Sequence, residues 1–357
     1  MMVPVGPQHP DAPSKTDDGG KNEREDAARA LTAVLTNLSE QFVSWDQAVR
    51  RTRPDAVHQL RVTCRSLRAV LKAASPLLDS GRADELALRL RNLARVLGAA
   101  RDAEITAELL PARVETLGQP IDGETVELLQ RRADDEATTA AARAKQHLKT
   151  KEHLKLVTDV QAFARQPPFT DKVEGKSSRW LANRTVKRSL RKAARVAADA
   201  PTADVPKERA PTADVPKEAA PKEAAPTAAA STAGADNRRR GEATLEHAHE
   251  VRKAVKQVRY VRSALKSAGV RPGKKRRRAA AEAKRYQQEL GEIMDAVVLR
   301  TWLARAAQDL SGTAHGYSIG LLLGAETVRV NEGIGRCEQL IEELPHRLRG
   351  NQPPATD

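Results

Sequence analysis

Aromatic residues are nearly missing from this chain: three Phe, three Trp and three Tyr make up 3% of its 357 residues. β-Branched residues are sparse too, and no stretch alternates apolar and polar residues as a half-buried strand would. Ala, Leu, Arg and Glu abound instead, so the expected class is all-α. Two cysteines, Cys64 and Cys337, cannot supply a disulfide framework. Both fall in helical patterns, which predicts reduced, partly buried thiols. No apolar run is long enough to span a bilayer. The amino terminus, with Pro4, Pro7, Pro10 and Pro13 among acidic residues, lacks the apolar core of a signal peptide. A cytoplasmic protein is the resulting expectation.

Positive charge is what the chain has in excess. Its 61 Lys and Arg against 47 Asp and Glu leave a net charge of +14 and a pI near 10.0. A polyanionic partner is implied: nucleic acid, an anionic membrane surface or another phosphate polymer. The charge is also ordered. His58, Arg61, Arg65, Arg68 and Lys72 recur at alternating spacings of three and four, which puts them in a sector roughly 80° wide on one helix. Val57, Leu60, Cys64, Leu67 and Leu71 form an apolar stripe beside it.

In chain order, residues 1–22 read as a polar tail. Helical patterns follow from about Glu23 to Arg50, from Pro54 to Ala74, around Leu86 to Leu97, and from Gly123 to about Ala164. Residues 166–176 are a break. A fifth helix, about Ser177 to Ala198, carries the basic stripe Arg184, Arg188, Arg191 and Arg195. Pro-Thr-Ala-Asp-Val-Pro-Lys-Glu then occurs twice, at 201–208 and 211–218. Proline every few residues forbids a sustained helix, so 200–238 reads as a flexible, semi-extended insertion. Three more helices are expected, from about Arg240, Lys275 and Ala314, before a tail at 350–357.

An internal repeat decides how these pieces are grouped. His249-x-x-Arg252-x-x-x-Lys256-x-x-Arg259 reproduces the spacing and chemistry of His58, Arg61, Arg65 and Arg68. Downstream, Leu97-Gly98-x-x-x-Asp102 is echoed by Leu290-Gly291-x-x-x-Asp295, with Arg91 and Lys284 equally far ahead of each. Two four-helix units are therefore expected, 23–165 and 177–349, joined at 166–176. The conspicuous Pro-rich insertion falls inside the second unit and is not the boundary.

These paired helices, each followed by a Leu-Gly-x-x-x-Asp helix, resemble the CHAD family, the conserved histidine α-helical domains. The resemblance covers about residues 23–349 apart from the insertion. It implies two four-helix bundles related by a pseudo-twofold axis, around a basic central channel that binds inorganic polyphosphate. His58, Arg61, Arg65, Arg68, His249, Arg252, Lys256 and Arg259 match the family's motif. Ser66 stands where the family often has a further Arg, which narrows the basic face, and the insertion is not a family feature.

Elementary chemistry points the same way. A phosphate chain has no bases to read and presents oxygens on all sides, so its receptor needs many donors rather than a shaped pocket. Arginine supplies forked donors and lysine a mobile charge. Lys72 extends the first ladder. Arg91, Lys284, Arg184, Arg188 and Arg191 are expected as secondary contacts, although the Arg184 stripe reads equally well as a solvated face. Asp102 and Asp295 are expected to fix neighbouring arginines. The run Lys274-Lys275-Arg276-Arg277-Arg278 reads as a phosphate-attracting rim.

Enzymatic motifs fail on inspection. Gly269 to Lys274 has its glycines too close for a phosphate loop and lacks the Ser or Thr that would follow. His247 and His249 point to different helix faces, so they make a poor metal pair. The Glu-x-Glu-x-Lys of a triphosphatase domain, fused to some CHAD relatives, is absent. No catalysis, cofactor or metal is expected. The leading expectation is a non-catalytic polyphosphate-binding module that targets or organises polyphosphate granules, its insertion open to unnamed protein partners. Nucleic-acid binding is the first alternative, weakened by the scarcity of aromatics. A phosphate-transfer enzyme with His58 or His249 as phospho-acceptor is the second.

Overall fold

Nine α-helices stand among the described residues of the computed structural model, which are 26–199, 227–310 and 313–349. They are α1 (Ala27–Arg50), α2 (Ala56–Ala74), α3 (Ser80–Glu115), α4 (Gly123–His147), α5 (Lys151–Arg165), α6 (Ser178–Ala198), α7 (Thr227–Ser267), α8 (Lys274–Asp309) and α9 (Thr313–Arg349). The all-α expectation holds. The expected tails at 1–22 and 350–357, and residues 200–226 of the expected insertion, lie outside the described residues.

Three boundaries differ from the sequence reading. Helix α7 begins at Thr227, ahead of the expected start near 240. Pro226 is the last proline of the insertion, and the Ala-rich run after it has high helix propensity. Pro54 does not open α2; Thr52 and Asp55, with φ of 54° and 58°, turn the chain first, and the helix starts at Ala56. The helix expected over 123–164 divides into α4 and α5. Thr150 caps α5 by accepting from the His153 backbone N–H at 3.3 Å. The buried His153 ring then meets Asp46 of α1, Nε2 to Oδ1 at 2.6 Å, and the same carboxylate holds Arg50 Nε at 2.7 Å. The division lets α5 lie along α1 while α4 stays on α3.

Packing follows one scheme in each half. Helix α2 packs on α1 and α3, α3 on α4, and α5 returns along α1. In the second half α7 packs on α6 and α8, α8 on α9, and α9 returns along α6. The halves meet through α2 on α7, α1 on α6 and α3 on α8. Exchanging α1, α2 and α3 for α6, α7 and α8 leaves these pairings unchanged, with α9 in the place of α4 and α5 together.

The apolar core is not divided at 166–176. One buried cluster runs from Ala27 to Leu348 and draws on both halves, and a smaller one joins Leu110 and Leu129 to Leu299, Trp302 and Leu303. Each fully buried leucine contributes roughly 1.5–3 kcal/mol, so this shared core is a large part of what holds the halves together. The connection itself is stitched down: Asp79 N–H donates to the Pro168 carbonyl at 2.7 Å and Ala27 N–H to the Lys176 carbonyl at 2.8 Å. Helices α8 and α9 approach closely at Gly333, where a Cβ would lie 2.8 Å from Ile293. Cys64 and Cys337 are free and buried, and burial pushes both thiols up, Cys337 to about 11. Both are therefore unreactive as nucleophiles.

Candidate functional site

Helix α2 has to serve two environments. Leu60, Cys64, Leu67 and Leu71 are buried in the core, while His58, Arg61, Arg65 and Arg68 are half-buried and Lys72 is exposed. Helix α7 is built the same way: Val251, Val255 and Val258 are buried, Arg252, Lys256 and Arg259 are half-buried, and His249 is exposed. Because α2 packs on α7, the two cationic faces share one field. The charge of Arg65 acts on Arg252, Lys256 and Tyr260 across the interface, and Arg61 also acts on Lys256.

The repeated Leu-Gly-x-x-x-Asp has a structural meaning. Leu97 and Leu290 are fully buried, anchoring α3 and α8 beside α2 and α7. The next residue must then leave room for an arginine. A Cβ on Gly98 would lie 4.0 Å from Arg61 Nε, and one on Gly291 would lie 3.4 Å from an Arg252 terminal nitrogen. One turn further on the aspartate catches that arginine: Arg61 Nη2 lies 3.4 Å from Asp102 Oδ1, and Arg252 Nη2 lies 3.7 Å from Asp295 Oδ1. Each guanidinium thus passes over a glycine and is oriented by an acid. Buried Nε atoms of Arg61, Arg68 and Arg252 make no hydrogen bond with a described residue. Ser66, by contrast, is 6% exposed and packed inward, so the outer edge of the cationic face forms without it.

Crowded, half-dry cations disfavour their own charge. Burial, reinforced by Arg252, Arg65, Arg61 and Arg259, pushes the Lys256 ammonium down to about 7. Burial and then neighbouring Arg65 lower Arg61, and burial lowers Arg252 against the pull of Asp295. Asp295 is itself raised by burial, so both partners show that the pair is desolvated beyond what their mutual attraction offsets. The two histidines are lowered as well, His58 by burial and then Arg101, His249 by burial and then Lys253. Their rings are biased toward the neutral form.

At the Lys72 end the ladder meets α6. Burial, then Lys192, Arg68 and Arg91, lower the Lys72 ammonium, so these side chains form one cationic cluster. A cleft of about 670 Å³ opens there, walled by Lys72, Arg184, Arg188, Arg191 and Arg195, with Asp84 of α3 also in its lining. Arg188 Nη2 reaches Ser75 Oγ at 3.3 Å. Both the Arg184 stripe and Arg91 are thereby brought to the end of the α2 ladder. Lys284 is exposed on α8, and no described interaction brings it to the α7 ladder.

Three contributors escaped the sequence reading. Tyr260, only 6% exposed, lies under the Arg259 guanidinium at 5.0 Å. Burial tends to raise its phenol, but Arg65 and Arg259 outweigh that and bring it below its ordinary value. Its scarcity was the available signal: one of three tyrosines, placed directly after a motif arginine. Arg101 neighbours His58 and is held by Glu104 and Glu108 at 3.2 and 3.0 Å. Lys192, beside Arg191 in the α6 run, faces Lys72. No group of side chains suited to a metal ion occurs among the described residues.

The CHAD domain family model matches residues 33–304. The chain belongs to the CHAD domain family. It is similar to two uncharacterized proteins of Mycobacterium tuberculosis, MT2285 of strain CDC 1551 and Rv2226 of strain H37Rv, each 27% identical over 339 residues. That match takes in 94% of this chain but only 56% of each relative, so the chain spans little more than half their length. Among solved structures it resembles PptA from Streptomyces chartreusis, with a TM-score of 0.60, 19% identity, and coverage of 89% of this chain and all of that one. The CHAD domain from the plant Ricinus communis gives a TM-score of 0.58 at 21% identity, covering 88% of this chain and 93% of that one. At these identities the likeness is one of fold.

Proposed function

We propose that this CHAD chain is a non-catalytic module that binds inorganic polyphosphate along the paired ladders of α2 and α7. The observation that carries this reading is the convergence of Arg61 and Arg65 with Arg252, Lys256 and Arg259 in one half-buried field. Burial first, and the neighbouring arginines second, lower the Lys256 ammonium, so these cations sit together at a cost that a bound anion would reduce. A linear polyanion would offset the repulsion along its whole length. Forked donors spaced along two helices suit a chain of phosphate oxygens, whereas single-stranded nucleic acid wants stacking platforms as well. Trp302 is buried, and Trp180 is covered by the Arg184 guanidinium at 5.1 Å.

The setting we propose is cytoplasmic, with the module bringing its chain to polyphosphate granules. No helix among the described residues is long and apolar enough to cross a membrane. Competition at equal phosphate concentration tests the ligand: long-chain polyphosphate should displace bound DNA or RNA, and the opposite order would refute the proposal. Incubation with polyphosphate and a divalent metal should release no phosphate. Release that His58→Ala abolishes would instead establish phosphate transfer.

A further inference from the structure

Helix α6 carries seven Lys and Arg and no acid, although its counterpart in the packing scheme, α1, carries two of each sign. A surface cleft beside α1, walled by Asp26, Arg29, Thr32 and Glu40 among others, is correspondingly mixed in charge. The excess on α6 is therefore specific to one half. The start of α8 differs in the same sense: counting back from the repeated glycines, Arg277 and Arg278 stand where the first half has Asp84 and Glu85. Helix starts favour acids, yet α8 opens on Lys274, Lys275, Arg276, Arg277 and Arg278 with no acid in its first turn. None of these five makes an ion pair with a described residue.

These two basic segments are brought together. A second cleft, of about 510 Å³, lies between α6 and the start of α8, walled by Trp180, Asn183, Arg184, Lys187, Lys275 and Arg276. Arg184 and Lys187 also line the cleft at Lys72, so the two clefts are neighbours along α6 and share these two side chains. Their junction is positioned from both sides: Arg184 lies over the Trp180 ring, and Gly273 N–H donates to Asn183 Oδ1 at 2.9 Å. Between Arg184 and Arg195 the groove follows α6 for roughly 16 Å.

We infer that this groove is a one-sided extension of the polyanion site, running from Lys72 along α6 to Lys275 and Arg276, and that it makes the protein selective for long polyphosphate chains. This rests on the reading of the α2 and α7 ladders as the primary site. A short chain fills the ladders alone. A long chain continues past Lys72 onto α6 and α8, where each added contact is intramolecular and so gains from high effective concentration. Since the cleft described beside α1 is mixed in charge, the chain leaves the ladders in one direction.

The test is titration of the full chain with triphosphate and with long-chain polyphosphate at several salt concentrations, using three variants. Lys187→Gln, Lys275→Gln and Arg276→Gln combined should weaken long-chain binding by about tenfold and lower its log–log salt slope by roughly two. Triphosphate binding should stay within about twofold of wild type, because a chain that short does not reach these positions. Arg252→Gln should weaken both ligands. As a control for diffuse charge, Lys149→Gln, Lys151→Gln and Lys155→Gln combined, on and beside α5, should change neither. If the α6 and α8 variant loses no more than this control while Arg252→Gln still weakens both ligands, the extension is overturned and the primary site stands. If neither ligand binds the wild-type chain, both fall.

Discussion

Arg252 of α7 and Gly291 of α8 meet so closely that a Cβ on the glycine would lie 3.4 Å from the guanidinium. That is ordinary contact for a methyl group and none to spare for anything larger. Gly98 keeps a looser 4.0 Å from Arg61. Gly98→Ala should therefore be tolerated by the site and should stabilise α3 by about 0.5–1 kcal/mol, as removing a mid-helix glycine generally does. Gly291→Leu should push Arg252 off α8, away from Asp295, and weaken polyphosphate binding with little gain in stability. Thermal melts and binding titrations on the two variants check both halves of the claim.

Arg61→Ala combined with Arg252→Ala tests whether the two ladders act as one. If both grip the same chain, the double variant should lose far more than either single one, and the salt dependence should become shallower by roughly 0.7–0.9 per lost contact. Equal losses on DNA and on polyphosphate would indicate diffuse attraction instead.

Lys256 makes binding and stability depend on pH in opposite senses. A bound polyanion favours the charged ammonium, so affinity should rise as pH falls toward about 7, the lowered value of Lys256 without ligand, and level off in this contribution below it. Arg65, Arg61, Arg252 and Arg259 act on it from both helices; His58 and His249, both lowered, add to the same trend at lower pH. Lys256→Arg should flatten the profile above neutrality. For the ligand-free protein the sign reverses. Between about 7 and the ordinary lysine range the unfolded chain holds the proton and the folded one does not, so stability rises with pH. Lys256→Met should remove that slope in denaturant titrations.

Asp46 is 5% exposed and accepts from both His153 and Arg50. Burial tends to raise its carboxyl, but these partners prevail and hold it below the ordinary range. Its contribution to stability is thus complete above the ordinary carboxylate range and is lost as pH falls through the depressed one. Asp46→Ala leaves the buried His153 and the half-buried Arg50 uncompensated and should cost about 3 kcal/mol, measured by urea unfolding near neutral pH.

Gly333→Ala should destabilise by about 1–3 kcal/mol, because its Cβ would lie 2.8 Å from Ile293 and the α8–α9 packing would have to open. A melt unchanged from wild type would show that the contact is not tight.

Local periodicity made much of this legible beforehand. Helix class, the cationic stripes on α2 and α7, and the duplicated Leu-Gly-x-x-x-Asp depend on spacing along one helix. The division of α4 from α5 was not legible, because the bond that favours it, His153 to Asp46, joins residues far apart in sequence. The start of α7 differs from the expectation for the opposite reason: helix propensity in the Ala-rich run takes over as soon as the prolines end at Pro226.

By itself, then, the sequence determined that cations and apolar residues would occupy separate faces of the same helices, and that this pattern would occur twice. Tertiary structure decided where those faces meet: Lys256 among arginines from two helices, Tyr260 under Arg259, and Lys72 at the mouth of the α6 groove. The physical reason is one of range. Face selection needs only the angle between neighbouring residues on a helix, whereas desolvation and charge crowding arise only when separate helices pack.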